Sequence, residues 1–350
     1  MTNLIKPRRL HPGDKVATVS LSWGGPGQVP LRYEAGKRQL QDEFGVTVVE
    51  MPHTMAPADW VRRNPRARAD DLLQAFADPS IRGIISTIGG DDSIRILPYL
   101  DLDVIRANPK VFMGFSDTVI THLACYKAGL GTFYGPSILA GFGENGGLFP
   151  YMADSVRRTL FSAEPIGVIR PNTSGWTVET LNWAIPENQQ RRRKLQPNEG
   201  WQWLQGTGVR RGRLLGGCFE VLDWLRGTAF WPPPEAWEGA ILFLEGSEDA
   251  PPASALGYFL RTLAAMGILG RLAGILLARP GGDMPTSQFA DYDQVLQEVV
   301  SEEQGLSGLP LVTHMDFGHT DPVFVLPYGV LAEIDCTAQR FAILENAVVD

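Results

Sequence analysis

Cysteine is scarce in this 350-residue chain: Cys125, Cys218 and Cys336 are the only three, far apart and odd in number. That excludes a disulfide framework and gives no zinc-ligand cluster, so each is expected to be a small buried hydrophobe. Long apolar runs are missing too. Nowhere do about 18 uncharged apolar residues follow one another, so no membrane span is expected. The opening MTNLIKPRRLHPGDKV has basic residues but no signal-peptide core behind them, and a cytoplasmic location is the expectation. Positive charge is in deficit, 31 Lys and Arg against 39 Asp and Glu for a net charge of −8. This argues against nucleic acid as the main partner but leaves room for a small anion at one basic spot. A 44% hydrophobic and 20% charged composition excludes a disordered chain.

What is there first reads as alternating α/β structure. Lys15–Ser22, Gly45–Glu50, Gly83–Ile88 and Val111–Phe115 have the pattern of apolar strands, and helical periodicity marks Leu31–Phe44, Ala67–Ala77 and the stretch after Ser116. Such alternation predicts a Rossmann-like parallel sheet covered on both faces, with ligands gathering beyond the carboxyl ends of its strands. Residues 1–145 are assigned to this N-terminal domain. Over 146–212 the pattern dissolves into Gly, Pro, Asn and Trp, with Glu187–Trp203 expected as an exposed loop in a linker and substrate-binding region. Residues 213–350 resume with strands at Ala240–Leu244, Gly274–Ala278 and Pro310–His314 and a hairpin through Pro327-Tyr328-Gly329 to Leu344, and are expected to form a mixed α/β C-terminal domain.

Two loops stand at expected strand ends. Ser116-Asp117 interrupts KVFMGFSDTVITHLACYKAG where a strand must turn at once into a helix. A serine there projects out of the sheet beside free helix N–H groups, the geometry of a nucleophile whose next amide stabilises an oxyanion; a plain helix cap is the alternative. Gly89-Gly90, directly after another strand, allows close backbone approach and supplies a second amide, that of Gly90 facing that of Asp117; a simple turn is the alternative. Among the histidines, His122 falls on a helix and reads as packed. His314 ends a strand, and His319 lies five residues on in a Gly-containing loop, which favours His319 as a base. The acids able to orient it are Glu245, Glu248 and Asp249 in LEGSEDAP; Glu245, at the strand end, is preferred, and the others are expected to cap the next helix. Ser116, Glu245 and His319 all stand at carboxyl ends of expected strands, two of them in the second domain, which predicts an active site in the cleft between domains.

The set IGGDDS, GFSDT, NW, GRLLGGCFEVL, FLEGSEDAP and DFGHTDP resembles the LD-carboxypeptidase family of serine peptidases, most closely the branch that contains the microcin C immunity protein. The resemblance runs from Lys15 to Leu344. It implies a Ser116–Glu245–His319 triad across the domain interface, oxyanion amides at Gly90 and Asp117, neither metal nor organic cofactor, and a homodimer. It further implies a small peptide or aminoacyl-nucleotide substrate: either the amide joining an aminoacyl or peptidyl group to a nucleotide is cut, or terminal D-alanine is removed from murein tetrapeptides. A non-catalytic two-domain binding protein is the alternative of another class. Gly89, Trp183 and Ser247 are the candidate substrate contacts, Trp183 by stacking on a base. Arg191–Lys194 is a solvated loop face or a source of positive potential for a phosphate.

Overall fold

The structure, a computed structural model, describes residues 4–350. Two sheets organise it. The first has six strands, in spatial order β12 (Leu326–Pro327), β5 (Phe133–Tyr134), β4 (Val111–Gly114), β3 (Ile81–Ser86), β1 (Lys15–Val19) and β2 (Thr47–Glu50). All its pairs are parallel except the edge pair of β12 with β5. The second has eight, in the order β6 (Gly167–Ile169), β14 (Arg340–Ile343), β13 (Leu331–Asp335), β8 (Val209–Cys218), β9 (Ile241–Glu245), β10 (Gly274–Ala278), β11 (Leu311–Met315) and β7 (Gln202–Gln205). Its centre, β8 to β11, is parallel and its flanks are antiparallel. No helix among the described residues is long and apolar enough to cross a membrane.

Burial on both faces explains why the central strands read as unbroken apolar runs. Every residue of VFMG in β4, ILFLE in β9 and GILLA in β10 is buried. Glu245 is the one charged residue in these three strands, and its place in such a run forces its carboxylate to find partners inside the protein. Helix boundaries follow local chemistry. Pro30 opens Pro30–Phe44, and Gly45 closes it at φ 70°; Gly129 at φ 88° closes Val119–Ala128.

Three expectations are revised. Strand β1 stops at Val19 rather than Ser22, because Ser20 turns its hydroxyl to Thr54 O and Thr87 Oγ1 and leaves the ladder. The stretch between the two main strand series contributes β6 and β7 to the second sheet, and its 3₁₀ turn Pro186–Gln190 and a bridge from Trp176 to Gln196 order the segment expected as plain loop. The hairpin near the C-terminus is β13–β14, whereas Leu326–Pro327 leaves it and adds to the first sheet.

That last detail positions the site. Residues 316–325 leave β11 in one sheet and enter β12 in the other. Asp316, fully buried at the start of this crossing, accepts hydrogen bonds from Arg279 Nη2 (3.0 Å), Trp201 Nε1 (2.7 Å), the Asn172 amide (3.0 Å) and Asn198 Nδ2 (3.1 Å). Arg279, itself buried, depends on this carboxylate as its counter-charge. Asp316→Ala should therefore lower stability by about 3–5 kcal/mol through the unpaired guanidinium, read as a shift in the chemical-denaturation midpoint.

Candidate active site

Ser116 follows β4 at φ 61°, a left-handed conformation uncommon for a residue with a side chain. The chain then enters a 3₁₀ turn, Ser116–Thr118, and the helix Val119–Ala128 without pause. The cap positions of the 3₁₀ turn and of the helix are Phe115 and Thr118, neither with a side-chain cap bond, so Ser116 does not stand at the cap position that the simple alternative assigns to it. The strain is held by tertiary contacts, as at functional turns. The Ser116 N–H donates to Tyr134 Oη (3.1 Å), and the Asp117 carboxylate, buried beneath the turn, accepts from the amides of Asp92 (3.1 Å) and Ser93 (2.8 Å). Burial pushes the Asp117 carboxyl above its usual range, and these donors and Ser22 oppose the shift.

Those bonds tie the Gly89–Ser93 loop to the serine turn. A methyl group on Gly89 would stand 2.9 Å from Ser116 Cβ, 3.0 Å from Oγ and 3.3 Å from the Asp117 nitrogen, so only glycine fits this approach. Among the described residues neither the Gly90 nor the Asp117 N–H donates a hydrogen bond within the chain. Unpaired donors that share a cleft with a hydroxyl are groups of the kind that can receive a developing negative charge.

Across the cleft, His319 and Glu245 meet. His319 Nδ1 lies 2.5 Å from Glu245 Oε2, and Glu245 Oε1 accepts from Tyr134 Oη. Gly318, at φ 83°, makes this possible: a side chain there would stand 2.7–2.8 Å from Glu245 Cβ, Cγ and Oε2. A chain of polar contacts thus runs from the Ser116 amide through Tyr134 and Glu245 to His319. His319 Nε2 is not turned to Ser116 Oγ; it lies 2.9 Å from Glu248 Oε2. Burial works against charge on the ring, but carboxylates at both nitrogens prevail and raise its pKa well above the usual imidazole value. Burial raises the Glu245 carboxyl, opposed by His319 and Tyr134. The His319 bond lowers Glu248 to about 2.

Gly89, Gly90, Ser116, Trp183, Glu248 and His319 line one cleft of about 460 Å³, with Arg193, Asp283 and Asp321 on its walls. Trp183 has the Arg32 guanidinium 4.8 Å from its ring centroid. Arg193 is committed, bonded to Glu144 and to Asp321 Oδ2 (2.6 Å), and Arg191 pairs with Glu179 (2.6 Å). Two of the four cations in the basic run, Arg191 and Arg193, are therefore already paired with carboxylates. Ser247 is not on the cleft wall: its hydroxyl donates to Glu220 Oε1 (2.6 Å). His122 is packed as expected, between Thr132 Oγ1 and Gly114 O (2.9 Å each), and burial lowers its pKa to about 3. His314 faces Asp293.

One residue, Tyr134, has no signal in the sequence: it sits in a two-residue strand with no charge pattern to flag it. Glu248 is among the acids that the sequence offers as partners of the base, with helix capping as its expected role; Ala253–Ala265 instead has Pro252 at its cap position and no side-chain bond there, and Glu248 turns to His319.

The two-sheet fold and the match to both family domains place the chain among hydrolases of the serine-peptidase type. The chain belongs to the LD-carboxypeptidase family: residues 16–135 match the model of its N-terminal domain and residues 211–334 that of its C-terminal domain. It is 32% identical to the microcin C7 self-immunity protein of Escherichia coli, over 80% of this chain and 79% of that one. It is 25% identical to a murein tetrapeptide carboxypeptidase of Pseudomonas aeruginosa, over 88% and 90%. Among solved structures it is similar to an MccF-like protein from Streptococcus pneumoniae in complex with AMP, with a TM-score of 0.84, 32% identity and 94% and 98% coverage. The microcin C7 self-immunity protein in complex with aspartyl sulfamoyl adenosine gives 0.84, 28%, and 99% and 100%.

Two outcomes follow from the geometry. Ser116→Gly should be more stable than Ser116→Ala by about 1 kcal/mol, since only glycine adopts this φ freely, measured by thermal denaturation of the two variants. Tyr134→Phe, which removes a bond to a charged group, should lower kcat roughly tenfold or more with little change in KM, checked by steady-state kinetics alongside unchanged circular dichroism.

Proposed function

We propose that the protein is a serine hydrolase that cleaves the amide joining an aminoacyl or peptidyl group to a nucleotide. The observation that carries the hydrolase reading is the left-handed serine beside two unpaired amides, with an imidazole already paired to a buried carboxylate on the opposite wall. In this reading Ser116 Oγ attacks the scissile carbonyl and His319 Nε2 takes its proton. Glu245 fixes the ring through Nδ1 and stabilises the imidazolium that forms. The carbonyl oxygen, as it becomes an oxyanion, is received by the N–H groups of Gly90 and Asp117. His319 returns the proton to the leaving nitrogen, and water releases the acyl group by the same route.

Trp183 supports the nucleotide half of the proposal. Its indole lines the cleft with a guanidinium behind it, an arrangement suited to stacking on a base. The likeness to structures holding AMP and aspartyl sulfamoyl adenosine agrees with this choice over a murein peptide.

A fluorophosphonate probe should label the protein and fail to label Ser116→Ala; labelling retained by the variant would reject Ser116 as nucleophile. Aspartyl sulfamoyl adenosine should be hydrolysed and a murein tetrapeptide should not; the reverse result would overturn the substrate class. Trp183→Ala should lower kcat/KM for the nucleotide substrate about 5- to 100-fold, the value of one base–aromatic stack, and leave a nucleotide-free aminoacyl anilide nearly unaffected.

A further inference from the structure

The placement of Glu248 raises a question that the hydrolase reading leaves open. Its carboxylate lies 2.9 Å from His319 Nε2, the atom that must accept the Ser116 proton. With both ring nitrogens paired to carboxylates, the ring is held as an imidazolium and has no lone pair for that proton. Glu248 must leave before catalysis begins. Its side chain is 71% exposed, so water or a ligand reaches it, and it projects from a loop whose neighbours are fixed. Ser247 is bonded to Glu220 through both its amide and its hydroxyl, and the Gly281–Gly282 turn packs against the carbonyls of Gly246, Ser247 and Glu248. The backbone is thus held while the carboxylate is free to swing.

The surroundings indicate what draws it away. The cleft is lined by the carboxylates Glu248, Asp283 and Asp321 and by one guanidinium, Arg193. That guanidinium is already shared between Glu144 and Asp321. Among the described residues lining the cleft, no other Lys or Arg side chain offsets Glu248 and Asp283. Once Glu248 has left His319, the wall beside the ring has carboxylates and no uncommitted Lys or Arg among the lining residues. A substrate with a positive group near its scissile bond is welcomed there.

Distance restricts the position of that group. His319 Nε2 has to stand within hydrogen-bond reach of Ser116 Oγ in the reacting complex, so a carboxylate adjacent to Nε2 is also adjacent to the carbonyl under attack. The α-ammonium of an aminoacyl group is two bonds from that carbonyl carbon and falls in this zone. The end of a long side chain does not, and a peptidyl group has no charge at that position.

We propose that Glu248 is the receptor for the free α-ammonium of an aminoacyl substrate: it leaves His319 to bind that cation, and the imidazolium, no longer held by this second carboxylate, gives its Nε2 proton to water and so becomes the base more readily when a substrate of this class is in place. The inference rests on the hydrolase reading of the site but not on the nucleotide, because the ammonium belongs to the acyl half. Glu248 then acts as a specificity residue and a latch in one: the cation that it selects is what disengages it from the imidazole.

The test compares two pairs of substrates in the wild type and in Glu248→Gln. One pair is alanyl sulfamoyl adenosine and its N-acetyl derivative; the other is alanine p-nitroanilide and N-acetylalanine p-nitroanilide. The wild type should prefer the free amine by tenfold or more in kcat/KM, and in Glu248→Gln that ratio should fall to near one. Discrimination within the anilide pair alone would uphold the amine receptor while rejecting the nucleotide. Equal rates in the wild type, a ratio unchanged in Glu248→Gln, or no turnover of any of the four would overturn the proposal. A separate readout is the titration of His319 by NMR. With one carboxylate replaced by a neutral amide, its pKa should fall in Glu248→Gln, and the acid limb of kcat/KM should move to lower pH with it. A His319 titration identical in both proteins would refute the latch.

Discussion

The contact between the Glu245 carboxylate and His319 Nδ1 is the constraint around which the rest of the molecule is arranged. A carboxylate at the end of a fully buried strand is tolerated only with partners, and Glu245 finds two, the imidazole and the Tyr134 hydroxyl. Tyr134 in turn receives the Ser116 amide. One desolvated charge therefore organises groups from three separate strand ends and holds the strained serine turn against the opposite domain. The same burial that makes the charge costly makes its bonds rigid, since no water competes for them.

A second layer works through close backbone approach rather than charge. Gly89 passes against the serine and Gly318 against Glu245, each where a single methyl group would overlap its neighbour. Asp117 then clamps the first of these loops from below. The unpaired amides are consequences of this packing: a loop pinned by a side chain from one residue cannot also fold back to satisfy its own N–H groups.

Much of this was legible in the sequence because strand ends are legible. Ser116 and Glu245 each terminate an apolar run, and a polar residue at that point has few places to go other than the rim of the sheet. His319 was favoured over His314 only by its loop context, and the family resemblance settled the preference. Tyr134 was invisible: a two-residue strand has no periodicity, and its partners lie 18 and 111 positions away. For Glu248 the sequence offers two roles, partner of the base or helix cap, and favours the cap, because nothing local shows that the loop curls back over an imidazole. Strand β12 was read into the wrong element because Leu-Pro followed by Tyr-Gly looks like a turn, and only the open edge beside β5 explains its destination.

That strand has a consequence for biogenesis. The first sheet is built almost entirely from the opening 134 residues, yet its last edge is supplied by Leu326–Pro327. While the polypeptide is still emerging from the ribosome, the nascent sheet carries one bare rim beside Tyr134, and the phenol has no glutamate to meet. Closing that rim draws the segment with His319 across the gap between the sheets. The closed rim and the approach of the imidazole to Glu245 thus depend on one and the same stretch of backbone.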